Sequence, residues 1–276
     1  MKISGIDEFL LAALREDIGT GDITTASCVP EDAVSVGNFT AKEAGVICGL
    51  DIAARVFHLV DSRVVVTLRA ADGDFVNTGD IVAEISGLSR SILTGERTAL
   101  NILQHLSGIA TRTAEAVKCV AGTKTKIVDT RKVLPGMRAL AKYAVHCGGG
   151  SNHRFNLSDG VLIKDNHIKA AGGIANAVKF ARENAPHTLK IEVETESLQQ
   201  VTEALDAGAD IIMLDNMPPS EMAQAVKLIN GKALTEASGN MGERDLREIA
   251  ETGVDFISIG ALTHSVKAMD ISLKFG

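Results

Sequence analysis

Beyond residue 122 the chain repeats one unit: a short apolar strand, a polar residue at its C-terminal end, a loop, an amphipathic helix and a glycine. Strands are expected at 126–129, 160–164, 189–194, 210–214, 232–236 and 255–259, and helices at 174–184, 196–207, 219–229 and 243–252. Two helices end in near-repeats, Ala207-Gly208-Ala209-Asp210 and Thr252-Gly253-Val254-Asp255, where a glycine stops the helix and feeds the next strand. Strands alternating with helices in this way form a parallel sheet with right-handed crossovers. Six units suit a closed, TIM-like barrel of fewer than eight strands; a doubly wound open sheet is the second possibility.

The composition agrees. Aromatics make up 3% of the 276 residues, with no Trp and one Tyr, so the core is built from Ala, Val, Ile and Leu, as in parallel strands covered by helices. The same scarcity of aromatics argues against stacking on single-stranded nucleic acid. Cys28, Cys48, Cys119 and Cys147 are far apart and form no CxxC pair, which points to free thiols in a reducing compartment. Residues 1–17 meet acids at Asp7 and Glu8 before any apolar run develops, and read as an amphipathic helix. No uncharged run approaches the roughly 18 residues that cross a bilayer. A cytoplasmic protein without membrane or nucleic-acid partners is expected.

Residues 34–87 have another texture. Val64-Val65-Val66 and the turn-rich run from Asp72 to Val82 read as short strands, similar to the hammerhead fold of lipoyl and biotinyl carriers. A carrier needs a lysine at a hairpin tip, and none lies between Glu43 and Gly95, so a β-rich scaffold is expected. A long helix over 95–122 then leads out of this region, with Leu100, Leu103, Leu106 and Ala110 at helical spacing.

Charge marks the site. Between Asp129 and Lys169 there are seven Lys/Arg against three acids, in a chain of net charge −7. A cationic island in an acidic protein points to a pocket for a small polyanion; a nucleic-acid binder is more often basic over a whole face. In a parallel barrel the C-terminal strand ends converge on one face. Here they offer Arg131 and Lys132, then Lys164, Glu194, Asp215, Ser238 and Gly260. Arg131 presents a rigid fork suited to carboxylate or phosphate, and Lys132 a point charge. Gly148-Gly149-Gly150 can expose successive N–H groups to an anion, with Asn152-His153-Arg154 directly after. His153 can bind a carboxylate or donate a proton. Lys164 can bind phosphate, or form a Schiff base if burial depresses its pKa. Glu194 and Asp215 suit ribose hydroxyls; Glu192 shares the strand face of Glu194, and the residues alone leave open which of the two meets ligand. The loops Ser238-Gly239-Asn240 and Ile259-Gly260-Ala261 end the last two strands, where barrels commonly hold a phosphate.

These residues carry a resemblance. Asp129-Thr130-Arg131-Lys132, Gly148-Gly149-Gly150-Ser151-Asn152-His153-Arg154, Ile163-Lys164-Asp165-Asn166-His167, Leu214-Asp215-Asn216 and Gly260-Ala261-Leu262-Thr263-His264-Ser265 are similar to the quinolinate phosphoribosyltransferase family. So are Glu16 to Thr24 and Glu96-Arg97-Thr98-Ala99-Leu100-Asn101. The matches are in order and span essentially the whole chain. The resemblance implies transfer of phosphoribosyl from phosphoribosyl diphosphate to quinolinate, with Mg²⁺, giving nicotinate mononucleotide, CO₂ and diphosphate. It implies an N-terminal open α/β sandwich over 1–105, an incomplete six-stranded α/β barrel over 106–264, and a segment over 265–276 returning to the first domain. It further implies a homodimer with a shared site, open to assembly of dimers, in which Arg97 reaches the partner's pocket.

Carried over by motif, Arg131, His153 and Arg154 hold the quinolinate carboxylates, with Thr130 beside them. Lys132 and Lys164 serve the diphosphate, and Glu194 and Asp215 the ribose. Ser238, Gly239, Asn240, Ile259, Gly260 and Ala261 surround the 5′-phosphate. Lys132, Lys164, Glu194 and Asp215 form the catalytic set; Mg²⁺ arrives on the diphosphate near the two acids, with no protein ligand of its own. The chain departs from the family at Val133-Leu134, where two threonines are usual. The alternatives are a paralogous branch found in molybdate-transport operons and a Schiff-base barrel aldolase using Lys164.

Overall fold

The computed structural model describes residues 4–276, so Met1 to Ile3 of the N-terminal stretch lie outside the described residues. The chain divides into two compact units, one comprising residues 4–114, 135–149 and 265–276, the other 115–134 and 150–264.

In the first unit, α1 (Ile6–Ile18) and α2 (Ile23–Cys28) precede β1 (Val34–Ala41) and a two-residue strand β2 (Gly45–Val46). Then come α3 (Leu50–Val60), β3 (Val65–Leu68), β4 (Phe75–Val76) and β5 (Ile81–Leu88). The sheet order is β12-β1-β5-β3, β12 being Ile271–Phe275, with β2 and β4 forming a separate pair. Alternation along β1 buries Gly37, Phe39 and Ala41 on one face and leaves Val34 and Val36 exposed on the other. Phe39 meets Phe57 of α3 edge-on, with ring centroids 5.9 Å apart, so the helix covers the apolar face. The strand-like reading of 34–87 is thus corrected at α3. Leu50, Ala53, Val56 and Phe57 are buried at helical spacing, and Gly49 and Leu50 donate N–H bonds to Asp72 Oδ1 at 2.9 and 3.0 Å, satisfying the helix start from a distant loop.

The long helix, α4, runs Ser89–Cys119 and carries the chain out of this unit, starting six residues earlier than the spacing suggested. A further helix in this unit, α5 (Arg138–Cys147), was not anticipated. It ends at Gly148, where a Cβ would collide with the Ala110 carbonyl and Thr113. The triple glycine therefore does a different job from the one its composition suggests. The Gly148 N–H bonds to Ala144 O (3.0 Å) and the Gly149 N–H to His146 O (2.9 Å), so both donors cap α5 instead of facing an anion.

The second unit holds six parallel strands: β6 (Lys126–Val128), β7 (Val161–Ile163), β8 (Ile191–Thr195), β9 (Ile211–Asp215), β10 (Leu234–Ser238) and β11 (Phe256–Ser258). Their order, β6-β11-β10-β9-β8-β7, follows the sequence except that the first strand lies beside the last. That is barrel topology; a doubly wound sheet would reverse direction from an internal strand. The barrel is incomplete because β6 and β7 do not pair. At this seam Ser151 bridges Val128 in parallel, its N–H bonding Ile127 O at 2.9 Å.

Helices α7 (Ile174–Asn184), α8 (Leu198–Asp206), α9 (Pro219–Ile229) and α10 (Leu246–Glu251) follow strands β7 to β10; short α6 (Asp165–Ala171) precedes α7, and α11 (Ala261–His264) follows β11. Residues Ile191, Val193, Ile212, Leu214, Ala237 and Ile257 face this helical layer and form the core with Val201, Met222 and Ile249. The alternate residues, Glu192, Glu194, Met213, Asp215, Glu236, Ser238 and Ser258, point into the barrel. Apolar outside and polar inside, this barrel reserves its interior for chemistry.

Candidate active site

The C-terminal strand ends enclose a cavity of about 480 Å³ in the second unit. Thr130, Arg131, Lys132, His153, Arg154, Lys164, Glu194, Asp215, Ser238, Gly239 and Asn240 all line it. Four expected residues do not. Arg97 is an exposed residue of α4 in the first unit, Ile259 is 2% exposed in the core, and Gly260 and Ala261 stand outside the lining. Gly260 still matters to the cavity: its Cα leaves room for Lys132, whose Cδ would stand 3.0 Å from a Cβ there. Thr263 of α11 donates its hydroxyl to the Lys132 carbonyl at 2.7 Å, pinning the loop that carries the two cations.

Arg131, Lys132, Arg154 and Lys164 bring four cations to one space. Burial, and then the neighbouring Arg131, pulls the Arg154 guanidinium below its usual range; its Nη1 donates to Gly160 O at 2.9 Å. Arg131 Nε is buried with no protein hydrogen-bond partner. In a cavity lined by Arg131, such a donor is available to an anionic ligand. Lys164 Nζ lies 3.2 Å from Glu194 Oε2, and the lysine side chain is 49% exposed. The apolar burial that a Schiff-base lysine requires is absent here. Asn216 donates from Nδ2 to Asp215 Oδ2 at 2.8 Å. Its backbone is left-handed (φ 54°), as is that of Asn240 (φ 52°). Between them Gly239 (φ 92°) packs so tightly on Asn216 that no side chain fits. Asparagine is among the few residues that visit this region readily, which fits two sharp loops at strand ends.

Below the cations lies a cluster of which the sequence had singled out His153 and noted Glu192, but not Glu236. Asp129, fully buried, accepts the His153 N–H at 2.8 Å and fixes the segment after the seam. The Arg154 N–H donates to His153 Nδ1 at 2.8 Å, which leaves the ring proton on Nε2. Nε2 stands 3.1 Å from Glu192 Oε2 and 3.5 Å from Glu236 Oε2. Both carboxylates are almost wholly buried, and each has an Oε1 with no protein partner. Burial, and next the charge of Glu192, push the Glu236 carboxyl up to about 8. Glu192 and Glu194 both face inward, Glu194 lining the cavity beside Lys164 and Glu192 one layer deeper. Glu236 was missed although it closed the strand expected at 232–236, because the site was sought in the loop after it; the strand runs on to Ser238, which puts both residues on the inward face.

A six-stranded barrel with four converging cations, acids at its mouth and glycine- and asparagine-rich loops at its strand ends defines an enzyme of phosphorylated, anionic substrates. Comparison with known proteins gives the family. The model for the N-terminal domain of quinolinate phosphoribosyl transferase matches residues 22–107, and that for its C-terminal domain residues 109–274. The chain belongs to the quinolinate phosphoribosyltransferase family.

Among relatives, a protein of Bacillus subtilis strain 168 named "Probable nicotinate-nucleotide pyrophosphorylase (carboxylating)" is 48% identical over 258 residues, covering 94% of this chain and 89% of the relative. The nicotinate-nucleotide pyrophosphorylase (carboxylating) of Mycobacterium leprae is 44% identical over 269 residues, covering 95% and 94%. The solved structure of the nicotinate-nucleotide pyrophosphorylase of Francisella tularensis superposes with a TM-score of 0.95 at 42% identity, covering 100% of this chain and 98% of that one.

Proposed function

We propose that the chain transfers the phosphoribosyl group of phosphoribosyl diphosphate to quinolinate and releases CO₂, forming nicotinate mononucleotide for NAD biosynthesis. The observation that carries this reading is the cavity of four cations in which Arg131 Nε has no protein partner, within a chain of this family. Quinolinate is a dicarboxylate, and Arg131, Arg154 and His153 offer it charge-assisted donors. Lys132 and Lys164 meet the diphosphate, whose negative charge grows as the bond to ribose C1 breaks. Asp215 and Glu194 take the ribose hydroxyls and stand near the oxocarbenium-like centre. The loop Ser238-Gly239-Asn240 receives the 5′-phosphate through close backbone approach, with Gly260 behind Lys132.

Glu194 and Asp215, which hold Lys164 and Asn216, stand where Mg²⁺ carried on the diphosphate would lie, and the ion would supply charge neutralisation of the leaving group. Loss of the 2-carboxylate leaves a carbanion that the adjacent pyridinium nitrogen stabilises, so the protein's task is geometry and exclusion of water.

The working form is a homodimer whose sites are shared. Arg97 is exposed on the first unit, and the open face of its sheet carries Val34, Val36 and Val65 at 70, 58 and 56% exposure, an apolar face suited to a second copy. A cytoplasmic location is part of this proposal; no helix among the described residues is long and apolar enough to cross a membrane. Nothing in the site favours the aldolase or the molybdate-operon reading.

The test is incubation with quinolinate, phosphoribosyl diphosphate and Mg²⁺. Nicotinate mononucleotide, CO₂ and diphosphate are expected in equal amounts. Diphosphate release without quinolinate consumption, or turnover only of another acceptor, would overturn the substrate assignment.

A further inference from the structure

A second cavity, of about 310 Å³, opens beneath the first. Val161, Lys190, Ile211 and Phe256 at the strand starts line it, and exposed Thr188 and Asn152 bring it to the surface beside the β6–β7 seam. His153, Arg154 and Glu236 belong to both cavities, and Glu192 to the lower one. The barrel interior is therefore reached from two ends, and the carboxylate–histidine cluster is the partition between them.

We propose that Glu236 is the acid that protonates the carbanion left by CO₂, reloading from solvent through the lower cavity, with Glu192 and His153 as its positioning residues. This rests on the decarboxylating reading above. The C2–carboxylate bond breaks heterolytically, CO₂ departs and the electron pair stays on C2. The C2–H bond forms with the Glu236 proton, leaving a carboxylate, which takes a proton from water on the lower side.

The geometry supplies each part. Glu236 reaches both cavities, and its Oε1 has no protein partner. Glu192, across His153, places its charge against ionisation of Glu236, and its Oε2 lies 3.1 Å from His153 Nε2, which holds it in place. Also facing Glu236 are the Ser258 hydroxyl and the Asp129 carboxylate, the first favouring ionisation and the second opposing it. With its carboxyl pushed up to about 8, Glu236 holds its proton at neutral pH, and the acid form is lost as pH rises through that value. No other acid lines both cavities.

The experiment follows diphosphate, CO₂ and nicotinate mononucleotide separately, in H₂O and D₂O. Product formation by the wild-type enzyme checks the underlying reading; its failure would sink that reading independently of the variants. Glu236→Gln is expected to keep its quinolinate KM within about threefold while kcat falls at least about tenfold, since a positioned acid typically contributes 10²–10⁴-fold. Its solvent deuterium effect on kcat should rise above the wild-type value, and Glu236→Asp should recover part of the rate. Glu192→Gln removes the opposing charge, so the alkaline fall of kcat should move to lower pH. The proposal fails if Glu236→Gln keeps wild-type kcat and solvent isotope effect, or if its loss lies wholly in KM. Should Glu236→Gln not fold, Glu192→Gln decides: an alkaline limb that stays in place overturns the proposal.

Discussion

Single side chains in the cavity keep polar atoms that no other protein group meets. Arg131 buries a guanidinium N–H without a protein acceptor, and such a donor costs about 1–3 kcal/mol where nothing meets it. Arg131→Ala is therefore expected to lower kcat/KM for quinolinate by about tenfold to a hundredfold or more, from the ~1.5–3 kcal/mol of a charged hydrogen bond. Thermal stability should be unchanged or higher. Steady-state kinetics beside a melting curve check both halves, and a variant that melts lower and works normally would make Arg131 a structural residue. Most of this layer was legible in the sequence, because strand ends in a parallel barrel converge and Arg131, Lys164, Glu194 and Asp215 each lie within three residues of a strand's C-terminal end. The buried layer beneath was legible only at Glu192, from its spacing to Glu194. Glu236 and Asp129 are polar letters at a strand end, and only the inward register separates a buried carboxylate from a surface one.

At the scale of elements, α7 and α9 stand where their apolar spacing put them, and the six strands fall within about two residues of their expected ends. The helices that went unseen have specific disguises. In α5 a lysine, Lys142, occupies the buried stripe at 4% exposure among Leu140, Ala141, Ala144 and Val145, so the pattern reads as broken. In α3 the neighbouring turn-rich strands lent their texture to an eleven-residue amphipathic segment. The triple glycine misled for a related reason: a glycine run looks alike whether it cradles an anion or lets a helix end against another backbone. Gly148→Ala separates the two uses. Its φ of −75° suits alanine, so any cost comes from the collision with Ala110 and Thr113. Such overpacking is expected to destabilise the first unit by about 1–3 kcal/mol. Chemical denaturation measures it; a fully stable variant with weakened substrate binding would restore the anion-cradle reading.

At the scale of the whole molecule, the shared site can be tested without a structure of the dimer. Arg97→Ala and Lys164→Ala should each be inactive alone. After subunit exchange, random pairing makes half the dimers mixed, and one of the two sites in each mixed dimer has both residues, so roughly a quarter of wild-type activity should return. No recovery after verified exchange would place Arg97 outside the partner's pocket.

The strand β12 has a consequence in time. It pairs with β1, Ala41 opposite Ile271 and Gly37 opposite Phe275, so one edge of β1 waits for its neighbour while residues 42–270 are translated. All six barrel strands leave the ribosome in that interval. Until β12 emerges, the nascent chain presents an open β edge beside exposed Val34 and Val36, the kind of template that invites pairing with another chain. Slow translation of the barrel would prolong that exposure, in the sheet begun first and completed last.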